Sequence, residues 1–105
     1  MVKLTVLYGH PKSPAEFETY YAETHLPIAA KMIGVSRLEL SKGVPGPDGA
    51  APAFYRIAEL YFTSKARMDK TLATQAAKDT VADLSNFATG GFTIVVSELA
   101  PRKAK

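Results

Sequence analysis

Two histidines stand in the chain, His10 and His25, and each lies near a tyrosine with which it could share a proton or an oxygen ligand. His25 follows Tyr21 by four residues and precedes Pro27 by two. On a helix, side chains four apart share a face, so the phenol and the imidazole can meet there. An imidazole exchanges its proton near neutral pH, and a neighbouring phenol can bind or protonate an enolate or phenolate oxygen. The same residues have a second use. His25 can be a core histidine satisfied by a carbonyl that the proline frees, which is the plainer reading of the residues alone, and Tyr21 can be aromatic packing. Tyr20 lies about 100° around the helix from Tyr21 and cannot share its stripe. Tyr8 and His10 place another phenol and imidazole at the exit of an extended segment, although loop histidines are mostly solvated. Asp83 and Asn86, three apart, share a helical face where either can orient an imidazole, hydrogen-bond a ligand or settle a helix end.

Other chemistries lack their residues. With no cysteine, disulfide scaffolds, zinc ribbons and thiol nucleophiles are excluded. Two histidines fifteen residues apart, with no carboxylate at ligand spacing, predict no metal site. No dinucleotide fingerprint, Walker loop or nucleophile elbow occurs, and the glycines at 43, 46 and 49 precede no strand-to-helix turn. No cofactor is expected.

The 105 residues, 47% hydrophobic and 22% charged, suit one compact domain with a single core. The formal charge of +3 comes from Arg102, Lys103 and Lys105; the remaining ten basic and ten acidic side chains cancel. A domain over residues 1–100 with a basic tail at 101–105 is expected, and no nucleic-acid partner, because no basic face continues into the domain. No apolar run approaches the roughly 20 residues of a membrane span, so no membrane partner is expected either. Residues 1–8 alternate apolar with polar, unlike a signal-peptide core, and the expected address is the cytoplasm.

These residues need elements to hold them. Val2, Leu4, Val6 and Tyr8 recur at a period of two and predict a first strand over residues 2–8. Ser13, Pro14 and Glu16 supply an N-cap, a proline for the first helical position and the acid of a capping box. Phe17, Tyr21, His25, Ile28 and Met32 then form an inward stripe on a helix that Gly34 ends, with Pro27 loosening the carbonyls near Glu23 and Thr24. Residues 35–41 and 54–62 read as strands joined by a mobile glycine- and proline-rich loop over 43–52. Ser64 and Thr74 cap two helical segments reaching about Leu72 and Phe87, Gly90 and Gly91 stop the second, and residues 92–99 form the last strand.

The order β-α-β-β-α-β predicts an α+β, ferredoxin-like fold, a four-stranded antiparallel sheet with helices on one face. The third strand carries apolar and aromatic residues on both faces, so the uncovered face calls for a second sheet and a face-to-face homodimer. Arg37 and Glu39 share a strand face and can form a polar seam in that interface, whereas Arg56 and Glu59 point to opposite faces of theirs.

The residues Leu7, Tyr8, Gly9, His10 and Pro11, then Phe17, Tyr20, Tyr21, His25, Leu26 and Pro27, and lastly Asp83, Leu84, Asn86 and Phe87 give a pattern that resembles the EthD family, named for ethyl tert-butyl ether degradation, across nearly the whole chain. The resemblance implies a dimeric α/β barrel. It also implies kinship with cofactor-free monooxygenases, polyketide cyclases and decarboxylases, muconolactone-type isomerases and, at greater distance, haem-handling enzymes. It shifts His25 from core packing to a pocket role. The expected site therefore has His25 and Tyr21 as catalytic residues, with substrate contacts from Tyr8, His10 and Phe17 on one side and Ile28, Asp83, Asn86 and Phe87 on the other. The ligand expected is a small hydrophobic or aromatic oxygenated compound undergoing oxidation, decarboxylation, cyclisation or isomerisation without a cofactor. Two alternatives are a non-catalytic accessory protein to an oxygenase and a haem-binding barrel with His25 as axial ligand, the latter short of basic residues for the propionates.

Overall fold

The computed structural model describes residues 1–100; the expected basic tail lies outside the described residues. Strand β1 (Val2–Tyr8) buries Val2, Val6 and Tyr8 on alternate positions, as its period of two requires. Helix α1 (Pro14–Tyr20) starts with proline in its first turn and Ser13 as N-cap, the Glu16 amide donating to the Ser13 hydroxyl at 3.4 Å. A π-helical turn (Tyr21–His25) and a short helix α2 (Leu26–Ala29) continue it. Strands β2 (Arg37–Lys42) and β3 (Arg56–Phe62) flank the glycine- and proline-rich loop. Helices α3 (Lys65–Leu72) and α4 (Gln75–Phe87) follow, and the expected caps hold both: Ser64 accepts from the Arg67 amide at 3.1 Å and Thr74 from the Ala77 amide at 3.3 Å. Strand β4 (Phe92–Glu98) closes the domain. No helix among the described residues is long and apolar enough to cross a membrane.

All strand neighbours are antiparallel and the order is β2-β3-β1-β4, the α+β ferredoxin-like arrangement. Tyr8 and Phe62, almost wholly buried, anchor the helix-covered face of the two central strands. Strand boundaries depart from expectation by one or two residues, β4 ending at Glu98 rather than at residue 99 and β2 at Lys42 rather than at residue 41. β2 begins at Arg37 rather than at residue 35, after Gly34 takes a positive φ of 91° and reverses the chain. β3 begins at Arg56 rather than at residue 54, although the Tyr55 amide already bonds the Tyr8 carbonyl at 2.7 Å.

The larger departure lies at the proline. Pro27 has no amide hydrogen for the Glu23 carbonyl and its ring would crowd that carbonyl in an ordinary α-turn. The chain instead widens one turn beforehand, and the Leu26 amide reaches back five residues to the Tyr21 carbonyl. The disturbance expected near Glu23 and Thr24 is thus a π-turn, closed by the bond to the Tyr21 carbonyl. The extra residue shifts the stripe: Phe17, Tyr21 and His25 are buried as expected, but beyond the turn Ile28 is only half-buried.

The uncovered face is more polar than expected. Register places Lys3, Glu39, Glu59 and Tyr61 there beside Leu7, Ile57 and Val95. The Tyr61 hydroxyl lies 3.0 Å from Glu39 and 3.1 Å from Glu59, Lys3 lies 3.7 Å from Glu59, and Arg37 pairs with Glu39. Arg56, on the opposite face, turns to Glu18 of α1 instead. Five exposed apolar side chains lie instead on the helix side of the outer strands: Leu38 and Leu40 of β2 and Phe92, Ile94 and Val96 of β4.

Gly9 and Gly90 cross in near contact where β1 leaves the sheet. A Cβ on Gly90 would sit 2.2 Å from the His10 carbonyl oxygen, a backbone atom with no room to yield. Gly90→Ala should therefore lower the unfolding free energy by about 1–3 kcal/mol, read from urea denaturation midpoints.

Candidate functional site

Between the helices and the sheet lies a cavity of about 380 Å³. Leu4, Val6, Ala58 and Leu60 form its floor, Leu26, Ala29 and Met32 one wall and Thr80 and Leu84 the other. Three of the expected site residues line it: Tyr8 from β1, Tyr21 and His25 from the π-turn. The cavity is otherwise almost entirely apolar. Thr80 spends its hydroxyl on the Ala76 carbonyl at 2.8 Å and Ser36 on the Tyr61 carbonyl at 3.1 Å.

Three polar groups on the lining residues remain unspent, the Tyr8 and Tyr21 hydroxyls and one nitrogen of His25. The Tyr21 hydroxyl is buried with no protein partner, a condition that costs about 1–3 kcal/mol unless something else supplies the bond. His25 is 4% exposed, and its Nδ1 lies 2.9 Å from Asp83 Oδ2. That leaves Nε2 as the ring nitrogen available to a ligand. Burial pushes the Tyr21 phenol up to about 12, with the Arg56 charge opposing, and burial raises the Tyr8 phenol further. Both stay protonated donors at neutral pH.

Asp83 is the hub behind His25. Its Oδ1 accepts the Tyr20 hydroxyl at 2.6 Å and the Asn86 amide at 3.0 Å. Burial alone would raise its carboxyl; the hydrogen bonds from Tyr20, Asn86 and His25 and the charge of the imidazole together outweigh burial and lower it. Asp83 is therefore ionised at neutral pH. A carboxylate can only accept, so Nδ1 carries the proton and, in the neutral ring, Nε2 is left with its lone pair.

The family model for the EthD domain matches residues 10–91. The chain belongs to the EthD family. An uncharacterised 11.0 kDa protein from the thcB-thcC intergenic region of Rhodococcus erythropolis is 35% identical over 98 residues, covering 93% of this chain and 94% of that protein. The crystal structure of an EthD family protein from Bacillus halodurans is similar with a TM-score of 0.88 at 28% identity, over 95% of this chain and 99% of that one. SnoaB, a cofactor-independent oxygenase from Streptomyces nogalater, shares the fold with a TM-score of 0.61 at 17% identity, over 99% of this chain and 96% of that one.

The other expected contacts of this EthD domain lie away from the cavity. His10 donates through Nε2 to the Pro52 carbonyl at 2.7 Å and ties the long loop to the end of β1. Phe17 is core, with Tyr55 and Phe87 rings both 5.1 Å away. Phe87 backs the imidazole with ring centroids 4.6 Å apart and does not line the cavity. Ile28 is displaced from the lining by the π-turn, which brings Leu26 and Ala29 there instead. Asp83 and Asn86 reach the cavity only through His25. Two contributors escaped sequence reading, Tyr20 and Arg56. Tyr20 was set aside for lying off the stripe, yet that position is what lets it reach Asp83. Arg56 bonds Glu18 through Nε at 3.1 Å and lies over the Tyr21 ring at 5.3 Å, a pairing between distant segments.

Among the described residues no group of three or more His, Asp or Glu is arranged to hold a metal ion. A haem iron would take His25 Nε2, but its propionates would meet only Arg37 along the lining, and Arg37 already pairs with Glu39.

Because folding lowers the Asp83 carboxyl, its contribution to stability is present above the unfolded value near 4 and is lost as pH falls through the lower folded value. Asp83→Asn should therefore lose less stability than the parent on acidification below about pH 4, as pH-dependent urea denaturation would show.

Proposed function

We propose that the chain is a small-molecule enzyme whose cavity takes a hydrophobic or aromatic compound bearing an uncharged oxygen function. One observation supports this reading: an apolar cavity lined by Tyr8, Tyr21 and His25, with the Tyr21 hydroxyl buried without a protein partner and His25 Nε2 left free by the bond of Nδ1 to Asp83. The Tyr21 and His25 rings stack 5.9 Å apart and 13° from parallel, which favours a donor and a base acting on one ligand. Apart from His25, the one basic side chain along the lining is Arg37, and it is paired with Glu39 rather than free to receive a carboxylate.

His25 serves as acid and base through Nε2, while Tyr21 and Tyr8 donate to the developing enolate or phenolate oxygen. EthD membership and the cofactor-independent activity of the SnoaB neighbour favour an oxidative reaction in catabolism. In that reaction Nε2 removes a proton from an activated methylene and the resulting enolate gives its electrons to dioxygen. One oxygen atom stays as a new carbonyl, and the other leaves as water with the two methylene protons. The dry cavity shields the anion from bulk water. Cyclisation or isomerisation would begin with the same proton removal without dioxygen, whereas decarboxylation would use the reverse transfer, a protonated Nε2 giving its proton to the carbon from which carbon dioxide has left.

The working form is a homodimer. Seven large apolar side chains on or next to the outer strands, among them Leu38, Leu40, Phe92 and Ile94, are exposed in the single chain, and Val95 stands on the uncovered face. Such a surface favours burial against a second copy. Light scattering at micromolar concentration should return twice the 11.3 kDa chain mass, and Val95→Arg should return the single mass. A monomeric parent overturns the dimer.

The decisive experiment identifies, by mass spectrometry, the small molecule carried by protein purified from its source cells and assays its conversion in air and under nitrogen. His25→Ala should keep binding and lose turnover by roughly 10²–10⁴-fold. Tyr21→Phe should weaken binding by about five- to ten-fold. Undiminished turnover in His25→Ala overturns the assignment, and a tightly bound molecule that is never converted makes the protein a binding accessory instead.

A further inference from the structure

Tyr20 touches neither the cavity nor His25, yet it makes the shortest contact on the carboxylate that holds the imidazole. A buried carboxylate has two ways to escape its burial: it can take up a proton, or it can rotate to share its oxygens differently. Tyr20 and Asn86 oppose both. Their two donors fill Oδ1, at 2.6 and 3.0 Å, and so reserve Oδ2 for His25 Nδ1 at 2.9 Å. The two donors come from different elements, Tyr20 from the end of α1 and Asn86 from α4, so the carboxylate is fixed between them. The Tyr20 ring is itself held, stacked on Phe87 at 5.3 Å and 21°, and Phe87 packs on the other side against the His25 ring.

Resting on the reading of His25 as the acid/base group, we infer that Tyr20 is a positioning residue: its hydroxyl fixes Asp83 so that neutral His25 keeps its proton on Nδ1 and presents Nε2 unprotonated to the cavity. The residue acts through Asp83 and touches no substrate. Its hydroxyl bonds Asp83, whose Oδ1 it shares with Asn86, and its ring stacks on Phe87.

The test is long-range ¹H–¹⁵N correlation on the full chain labelled at histidine nitrogen, recorded at a pH where both rings are neutral. His10 is an internal reference of the opposite tautomer, since only an Nε2–H can donate to the Pro52 carbonyl. Wild-type His25 should give the Nδ1–H pattern. Tyr20→Phe keeps the stacked ring and removes the hydroxyl, and should lower the ratio of Nδ1–H to Nε2–H forms by about five-fold while the His10 signals stay in place. Asn86→Ala, which removes only the other donor to the same oxygen, should shift the ratio in the same direction and serves if Tyr20→Phe does not fold. A wild-type Nδ1–H pattern that neither variant changes overturns the role of Tyr20 and leaves the His25 assignment standing. A wild-type His25 already in the Nε2–H form overturns both.

Discussion

Pro27 has no amide hydrogen to give, and the first helical arm is built around that lack. The widened turn before it satisfies the backbone by a bond from Leu26 back to Tyr21, so the segment keeps its course without breaking. The same widening sets which side chains face inward. Tyr21 and His25, at its two ends, stack on each other, and the residues after it arrive out of phase with the stripe that precedes it. Leu26, Ala29 and Met32 line the space above the central strands, while Ile28 does not. The turn before the proline thus carries two of the polar side chains of that lining, Tyr21 and His25.

The second constraint is the charge behind the imidazole. A buried carboxylate is weak evidence of stability, because removing it from water costs more than a single partner returns. Three donors converge on Asp83 and together with the imidazole charge outweigh its burial. The arrangement joins the first arm to α4 through polar contacts that demand particular distances, whereas the aromatic cluster of Tyr8, Phe17 and Phe87 around it tolerates small shifts. Geometry at His25 is set by the first kind of contact and its burial by the second.

Much of this was legible in the chain. The period of two in residues 2–8, the caps at Ser13, Ser64 and Thr74 and the glycines that stop the helices are local signals, and each fixed its element. The stripe of Phe17, Tyr21 and His25 was equally local. Ile28 failed because the period of an α-helix was carried across a proline that changes it. Tyr20 and Arg56 were missed because their partners, Asp83 and Glu18, are 63 and 38 residues away, and nothing in helical or strand spacing brings such pairs together. Asp83 lies between these cases: its type and position allowed an imidazole partner, but only the packing of α4 against the π-turn chooses that over a ligand or a helix end. The uncovered sheet face was read as stickier than it is because alternation sorts residues by side and says nothing of the ion pairs that Lys3, Glu39 and Glu59 make across strands.

Similarity of fold reaches much further here than similarity of site. A sheet and helices that superpose on an oxygenase at 17% identity share its fold, but a cavity has no chemistry until its polar atoms are counted. In this chain the count is small, because the backbone and neighbouring side chains have already taken the hydroxyls of Ser36 and Thr80 and one nitrogen of His25. What remains is two phenols that donate, Tyr8 and Tyr21, and an imidazole nitrogen that can accept a proton, beside an otherwise apolar lining. Under the proposed function, a ligand with several charged groups would leave most of them unpaired, each at the cost of its hydration, whereas one with a single oxygen function on an apolar body would leave none. Shared architecture therefore sets where a cavity can form, and the few unspent polar atoms set what chemistry it can support.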